Sequence, residues 1–93
     1  MSNTHLFTLG RTVATPGALR ALGRNAIGPS HILSKHQAGE WGDLDAEDVQ
    51  ANAFALENGL RILSSYWLPD ETKVWVITEA DRSATTILLP EEY

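Results

Sequence analysis

The strongest constraint on the fold lies in the last third of the chain, where polar and apolar residues alternate over three segments separated by short polar stretches. In the middle segment, residues 73–79, valines alternate with Trp75 and Ile77. A period of two is typical of β-strands, because successive side chains point to opposite faces of a sheet. We predict an antiparallel meander of three strands, over residues 60–67, 73–79 and 84–89.

Large apolar side chains occupy both faces of the predicted middle strand. Val74 and Val76 lie on one face, and Trp75 and Ile77 lie on the other. We expect one face to pack against helices. A self-association surface would account for the other face, since apolar patches of this kind mark contact sites.

The first half of the chain carries helix signals instead. Thr15 followed by Pro16 marks a helix start, because threonine caps the first turn and proline lacks the N–H that this turn leaves unpaired. Asp45 caps the longest helix, whose first turn is acidic, as the helix dipole favours, and Gly59 ends it. The expected helices span residues 15–24, 30–38 and 45–58.

The spacing of apolar residues predicts which side chains these helices bury. In the first helix, Leu19 and Leu22 lie three apart on one face. In the third helix, the expected buried stripe consists of Val49, Ala53, Phe54 and Leu56.

A short strand is predicted ahead of the helices. Phe7, Leu9 and Val13 fit a strand with a bulge at Gly10, and this strand can pair at one edge of the sheet. The chain of 93 residues is then one α+β domain, spanning residues 1–93.

Composition narrows the class of protein. The chain contains no cysteine, which excludes disulfides and thiolate metal sites. Residues 1–5 are not followed by the long apolar run of a signal peptide, and no stretch approaches the roughly 20 apolar residues that span a bilayer. We predict a cytoplasmic protein without membrane association. We expect no cofactor. We also expect no metal site, because the chain lacks cysteine and His31 and His36 are five apart and do not share a helix face.

The charge is unevenly distributed along the chain. The net charge is −5, but residues 1–39 contain four basic and no acidic side chains, whereas residues 40–93 contain three basic and twelve acidic ones. Net acidity argues against non-specific binding to nucleic acid, which depends on neutralising phosphates. A basic face built by the N-terminal segment is the alternative.

One polar cluster surrounds the end of the second helix. His36, Trp41 and Asp43 lie within eight residues. His36 is a candidate proton carrier oriented by Asp43 or Glu40. The alternative is structural, with an imidazolium that caps the helix C-terminus and Trp41 filling the core.

A second polar cluster lies in the last hairpin. It holds Glu79, Arg82 and Thr85. Arg82 is a candidate clamp for a phosphate or carboxylate with help from Thr85 or Ser83. The structural alternative is an ordinary turn in which Arg82 pairs with Glu79.

Three segments resemble a known family: residues 12–19, residues 36–44, which read HQAGEWGDL, and residues 74–93, which read VWVITEADRSATTILLPEEY. This family comprises small, uncharacterised bacterial proteins associated with plasmids and other mobile elements. The resemblance implies a setting on mobile elements and no particular activity. Some members carry the name of a restriction-modification subunit, but this chain has neither the glycine-rich loop nor the length of a methyltransferase.

We predict a non-enzymatic interaction or regulatory protein of a mobile element, which binds a protein partner or forms a homodimer through the sheet. The candidate binding residues are Trp41, Asp43, Tyr66, Trp75, Arg82 and Thr85. One alternative is a small ribonuclease similar to barnase, using His36, Glu79 and Arg82 as catalytic residues. Another is an acidic anti-restriction or anti-CRISPR protein, whose DNA-mimicking carboxylates are Glu40, Asp43, Asp45, Glu47 and Asp48.

Overall fold

The chain folds into three helices and a four-stranded sheet in the computed structural model, which describes residues 5–93. In chain order the elements are β1 (Arg11–Ala14), α1 (Pro16–Arg24), α2 (Pro29–Gln37), α3 (Ala46–Asn58), β2 (Ile62–Trp67), β3 (Lys73–Thr78), β4 (Ala84–Leu88) and a 3₁₀ turn (Pro90–Glu92). The predicted α+β class is confirmed. Both predicted caps form, since the side chain of Thr15 accepts from the N–H of Ala18 and that of Asp45 from the N–H of Asp48.

The sheet differs from the purely antiparallel three-stranded meander that the alternation predicted. Strands β2, β3 and β4 do form an antiparallel meander, but β1 joins as a fourth strand, parallel to β4, and the order is β1-β4-β3-β2. Parallel neighbours need a long crossover. Here the three helices and two strands between β1 and β4 supply it.

The register divides the sheet into two faces. The face that packs against helices, called the inner face, carries Tyr66, Val74, Val76 and Ile87. Against it pack Ala18, Ala21 and Leu22 from α1 and Ile32 from α2. The opposite face, called the outer face, carries the side chains of Val13, Leu63, Ser65, Trp67, Lys73, Trp75, Ile77, Thr86 and Leu88.

Helix α3 lies beside the edge strand β2. The side-chain amide of Asn52 donates to the carbonyl of Leu63 at 2.7 Å and accepts from its N–H at 3.1 Å. Further along the same edge, the N–H of Ser65 donates to the carbonyl of Trp41 at 2.9 Å, and the carbonyl of Ser65 accepts from the N–H of Asp43 at 2.6 Å. The edge of β2 is therefore closed by a helix side chain and by a crossing loop.

This edge contact explains why the predicted apolar stripe of α3 is wrong at Val49, Ala53 and Phe54, whereas Leu56 does pack against an apolar cluster. The buried residues of the helix are Asn52 and Ala55, whereas Val49 is exposed and Phe54 is 60% exposed. A helix that closes a strand edge must bring a hydrogen-bonding side chain to the backbone, because unpaired buried backbone groups are costly. The polar Asn52 therefore faces inward.

Two further predictions for the first half of the chain are wrong. Leu19 on α1 is 50% exposed, and only Leu22 of the predicted pair is buried. The N-terminal strand begins at Arg11, and Phe7 lies in the apolar cluster with Ala55 and Ile62. Gly10 has a φ of +65°, and a Cβ there would lie 2.4 Å from two carbonyl oxygens of the β3–β4 turn, so glycine lets the chain pass that turn.

The chain after β4 folds back onto the domain. The carboxylate of Glu92 accepts hydrogen bonds from the hydroxyl of Thr15 and from the N–H groups of Gly17 and Leu89. This contact anchors the 3₁₀ turn at the start of α1. It also holds Tyr93 edge-on to Trp75, with 5.9 Å between the ring centroids.

The closed β2 edge predicts a cost for removing its amide. Asn52→Ala leaves the N–H and carbonyl of Leu63 without partners, and we expect the free energy of unfolding to fall by about 1–3 kcal/mol. Urea denaturation measures the change. Asn58→Ala in the same helix is the matched control, because Asn58 bonds only the carbonyl of Phe54 within α3 and is exposed. Equal losses for the two variants would contradict the assignment.

Candidate functional site

A chain of hydrogen bonds runs through the interior between α2 and the sheet. The ring of His36 is fully buried. Its Nδ1 bonds the hydroxyl of Ser64 on β2, and its Nε2 lies 2.8 Å from the hydroxyl of Thr78 on β3. The hydroxyl of Thr78 lies 2.8 Å from that of Thr85 on β4, which donates to the carbonyl of Leu9 at 2.8 Å. We call these five residues the polar chain.

The proton order in the polar chain follows from counting donors, because each hydroxyl has one proton. Thr85 gives its proton to the carbonyl of Leu9, so Thr78 must donate to Thr85. The oxygen of Thr78 then accepts from the Nε2–H of His36. When the ring is neutral, its Nδ1 accepts from the hydroxyl of Ser64.

Burial favours the neutral ring. Desolvation lowers the pKa of His36 to about 4. The ring is enclosed by Phe7 at 5.1 Å and Trp41 at 5.8 Å, both edge-on. The structural interpretation of His36 as an imidazolium cap is wrong for this reason, and its hydrogen-bond partners are hydroxyls rather than Asp43 or Glu40.

Arg82 is bound to the backbone of its surroundings. Its terminal nitrogens lie within 3.1 Å of the carbonyl oxygens of Ala55, Leu60, Glu79 and Ala80. The guanidinium thus joins the end of α3 to the β3–β4 turn. It bonds the carbonyl of Glu79 and not its carboxylate, so the predicted Glu79–Arg82 ion pair is wrong.

The three catalytic candidates do not converge on an open site. Phe7 lies between two of them, with its ring centroid 5.1 Å from that of His36 and 5.8 Å from the Cζ of Arg82. Glu79 is exposed, and within residues 5–93 its carboxylate bonds neither His36 nor Arg82. The ring of His36 is out of reach of a substrate.

Most of the binding candidates also lie in the interior. Tyr66 is buried and donates to the carbonyl of Glu40 at 2.6 Å, and burial raises its pKa to about 12. Thr85 belongs to the polar chain, and Trp41 stacks on Phe7 with 6.3 Å between centroids. Of the candidates, Asp43 and Trp75 are the ones that reach the outer face.

Asp43 takes part in a surface cluster that the sequence analysis missed. Its Oδ2 accepts from the indole Nε1 of Trp67 at 2.8 Å and lies 3.4 Å from the Nζ of Lys73. That Nζ lies 4.5 Å from the centroid of the Trp67 ring, which is 57% exposed. The alternation of β2 predicts that Trp67 lies on the outer face once Tyr66 is known to be buried, because successive residues of a strand point to opposite faces.

A cleft opens on the outer face around Leu63 and Ile77, and in the strand register Trp75 lies between this pair and the Trp67–Lys73 pair. Its volume is about 310 Å³. Leu63, Trp75 and Ile77 contribute apolar surface, and Tyr93 forms part of its lining. Asp48 of α3 and Arg61 add opposite charges. Pockets of this composition are typical of ligand or anchor-residue sites.

The fold and these surfaces together define a small α+β domain with a polar chain inside and an apolar, partly open outer face. Comparison with protein-family models, curated proteins and solved structures returned no match. Within residues 5–93, no helix is long and apolar enough to cross a bilayer. The same residues contain no group of three or more histidine or carboxylate side chains arranged to hold a metal ion.

The buried neutral His36 predicts a pH dependence of stability. His36 binds a proton near pH 6.5 in the unfolded chain but only near pH 4 in the folded chain. Its contribution to the free energy of unfolding is therefore fully present above pH 6.5 and is lost as the pH falls. We expect a loss of about 2 kcal/mol between pH 7 and pH 5. Urea denaturation at the two pH values tests this.

The pH range is chosen to isolate the histidine. The carboxyls of Asp70, Asp81 and Glu92 have lowered pKa values because they accept hydrogen bonds, so their contributions are lost at lower pH. His36→Gln should flatten the dependence between pH 7 and pH 5, and His31→Gln, on the exposed side of α2, should preserve it. A slope that persists in His36→Gln would contradict the assignment.

The polar chain also predicts a difference between two adjacent threonines of β4. Thr85→Val removes a donor and an acceptor from the interior and leaves the hydroxyl proton of Thr78 and the carbonyl of Leu9 unpaired, which should cost about 1–3 kcal/mol. Thr86→Val, on the outer face, should change stability by no more than about 0.5 kcal/mol. Thermal or urea unfolding of the two variants measures the contrast. Similar effects for both would argue against the polar chain.

Proposed function

We propose that this protein is a non-enzymatic interaction module that binds a protein partner through the outer face of its sheet. The observation that carries the proposal is the exposure of Trp67, which is held in place by Asp43 and Lys73 on the face that also carries a cleft of about 310 Å³. Tryptophan is among the residues that most often dominate binding energy at protein interfaces.

The distribution of helix contacts supports this assignment of the surface. In both apolar clusters, the strand residues that meet the helices belong to the inner face. On the outer face, Trp67 is exposed and Trp75 is half-buried, while Ile77 and Leu88 are buried. Trp67 is therefore the largest apolar side chain that this face leaves free for a partner.

The charge next to the cleft indicates the chemistry of the partner. Glu47 and Asp48 in the first turn of α3 are exposed, and neither forms an ion pair within residues 5–93. Asp48 also lines the cleft. We expect a partner that places an apolar side chain in the cleft and basic side chains opposite α3, since complementary charge guides association and selects partners.

The wider biological setting is also part of the proposal. The resemblance to small plasmid-associated proteins supports a role on a mobile element in the bacterial cytoplasm. The regulatory or accessory function would then be exerted through the bound partner.

A second candidate is the anti-defence protein. It is favoured by the exposure of the five carboxylates at Glu40, Asp43, Asp45, Glu47 and Asp48. Glu40 and Asp43 lie within 4 Å of lysines, and Asp45 caps α3. In this version the partner is a nucleic-acid-binding defence protein, and its phosphate-binding surface meets the carboxylates.

The proposal predicts that the partner recognises Trp67. A partner captured on the wild-type protein should bind Trp67→Ala about 30-fold more weakly, which corresponds to the loss of a central aromatic anchor. Phe54→Ala is the matched control, because Phe54 is equally exposed on the opposite side of α3. Calorimetry with the purified partner measures both affinities.

Salt dependence and RNA cleavage separate the alternatives. The affinity for the partner should fall as the salt concentration rises from about 0.05 M to about 0.5 M if the acidic turn of α3 contributes. It should fall most steeply if the protein mimics DNA phosphates.

Equal binding of Trp67→Ala and wild type would overturn the outer-face proposal. Cleavage of RNA by the wild-type protein, abolished in His36→Ala at unchanged stability, would favour the ribonuclease.

A further inference from the structure

The two edges of the sheet differ in whether their outward backbone groups have hydrogen-bond partners. At the β2 edge, the outward backbone groups of Leu63 and Ser65 are all paired, the first with the Asn52 side chain and the second with the loop at residues 41–43. Proteins cover or pair strand edges in this way because open edges recruit other strands. The opposite edge is β1.

Strand β1 presents an open edge. The N–H of Arg11 donates to Ser83 at 2.9 Å and that of Thr15 donates to Ile87 at 3.0 Å. Odd-numbered residues of β1 therefore bond β4, and the N–H and carbonyl groups of Thr12 and Ala14 point the other way. Arg11, Thr12 and Val13 are exposed, so no element within residues 5–93 packs over this edge.

We infer that this edge pairs with β1 of a second copy of the chain, antiparallel to it, around a two-fold axis at Val13. In this register Thr12 of each copy faces Ala14 of the other as a hydrogen-bonded pair. Each such pair exchanges two bonds. Four hydrogen bonds then satisfy every outward backbone group of Thr12 and Ala14 in both copies.

The side chains of β1 fit a second copy of the same strand. Val13, 42% exposed on the outer face, meets its own counterpart at the axis. Directly opposed β-branched side chains stabilise antiparallel pairs. Arg11 faces Thr15 of the other copy, so the two Arg11 charges do not oppose each other. The strand contains neither a proline nor a bulge.

Pairing through β1 joins the two sheets into one of eight strands. The two-fold axis is perpendicular to the sheet, so both outer faces lie on the same side. A dimeric or repetitive partner would then meet two Trp67 clusters at once, and the second contact would form at high effective concentration. The inference rests on β1 alone and does not require the proposed function of the outer face.

Cysteine cross-linking tests the register. The wild-type chain contains no cysteine, so Val13→Cys introduces a single thiol at the proposed axis. Opposed residues in a non-hydrogen-bonded antiparallel pair are close enough for a disulfide. We expect mild oxidation to convert Val13→Cys to a covalent dimer. Leu19→Cys, on the half-exposed face of α1, should stay monomeric on a denaturing gel. Equal cross-linking of both, or of neither, would overturn the register.

Sedimentation equilibrium tests the association itself. The wild-type protein should reach twice the chain mass of 10.2 kDa. Val13→Lys places two like charges at the axis and should raise the dimer dissociation constant about tenfold or more. Leu19→Lys and Trp67→Ala should leave the dissociation constant unchanged.

A wild-type monomer at about 1 mM would overturn the inference, because a dissociation constant above that value corresponds to negligible association. Dimers lost in Trp67→Ala but kept in Val13→Lys would place the contact on the outer face instead.

Discussion

The structure depends on the polar chain that begins at Ser64 and ends at the carbonyl of Leu9. It passes through His36, Thr78 and Thr85, and so connects α2, three strands and the segment before β1. Every member donates one proton and accepts one, apart from the ends. A buried group in such a chain has no substitute partner, so a shift in strand register would leave several groups unpaired. The chain therefore specifies the packing of α2 on the sheet.

The polar side chains that look most like an active site serve the architecture. Arg82 donates hydrogen bonds to carbonyl groups where α3 ends and the β3–β4 turn begins. His36 serves as both donor and acceptor between two hydroxyls. Both residues are satisfied by the protein itself. We propose that a partner instead meets Trp67, with Asp43 and Lys73, and the cleft on the same face.

The two faces and the two edges of the sheet have different roles. The inner face forms the core, the β2 edge is closed at Leu63 and Ser65 by Asn52 and a loop, and Trp67 on the outer face and the β1 edge stay exposed. In our proposals, the β1 edge joins two copies and the outer face binds the partner. Small domains with little interior commonly gain function in this way, because a dimer doubles the binding surface without enlarging the core.

The sequence by itself determined the α+β class, the helix starts at Thr15 and Asp45, and the strand periods, because caps and alternation are local properties of neighbouring residues. It also indicated clusters around His36 and Arg82, but not what surrounds them. The parallel pairing of β1, the inward-facing Asn52 and the exposure of Trp67 rather than Tyr66 depend on which element lies beside which. Residues distant in the chain make those contacts, so only the tertiary structure decided them.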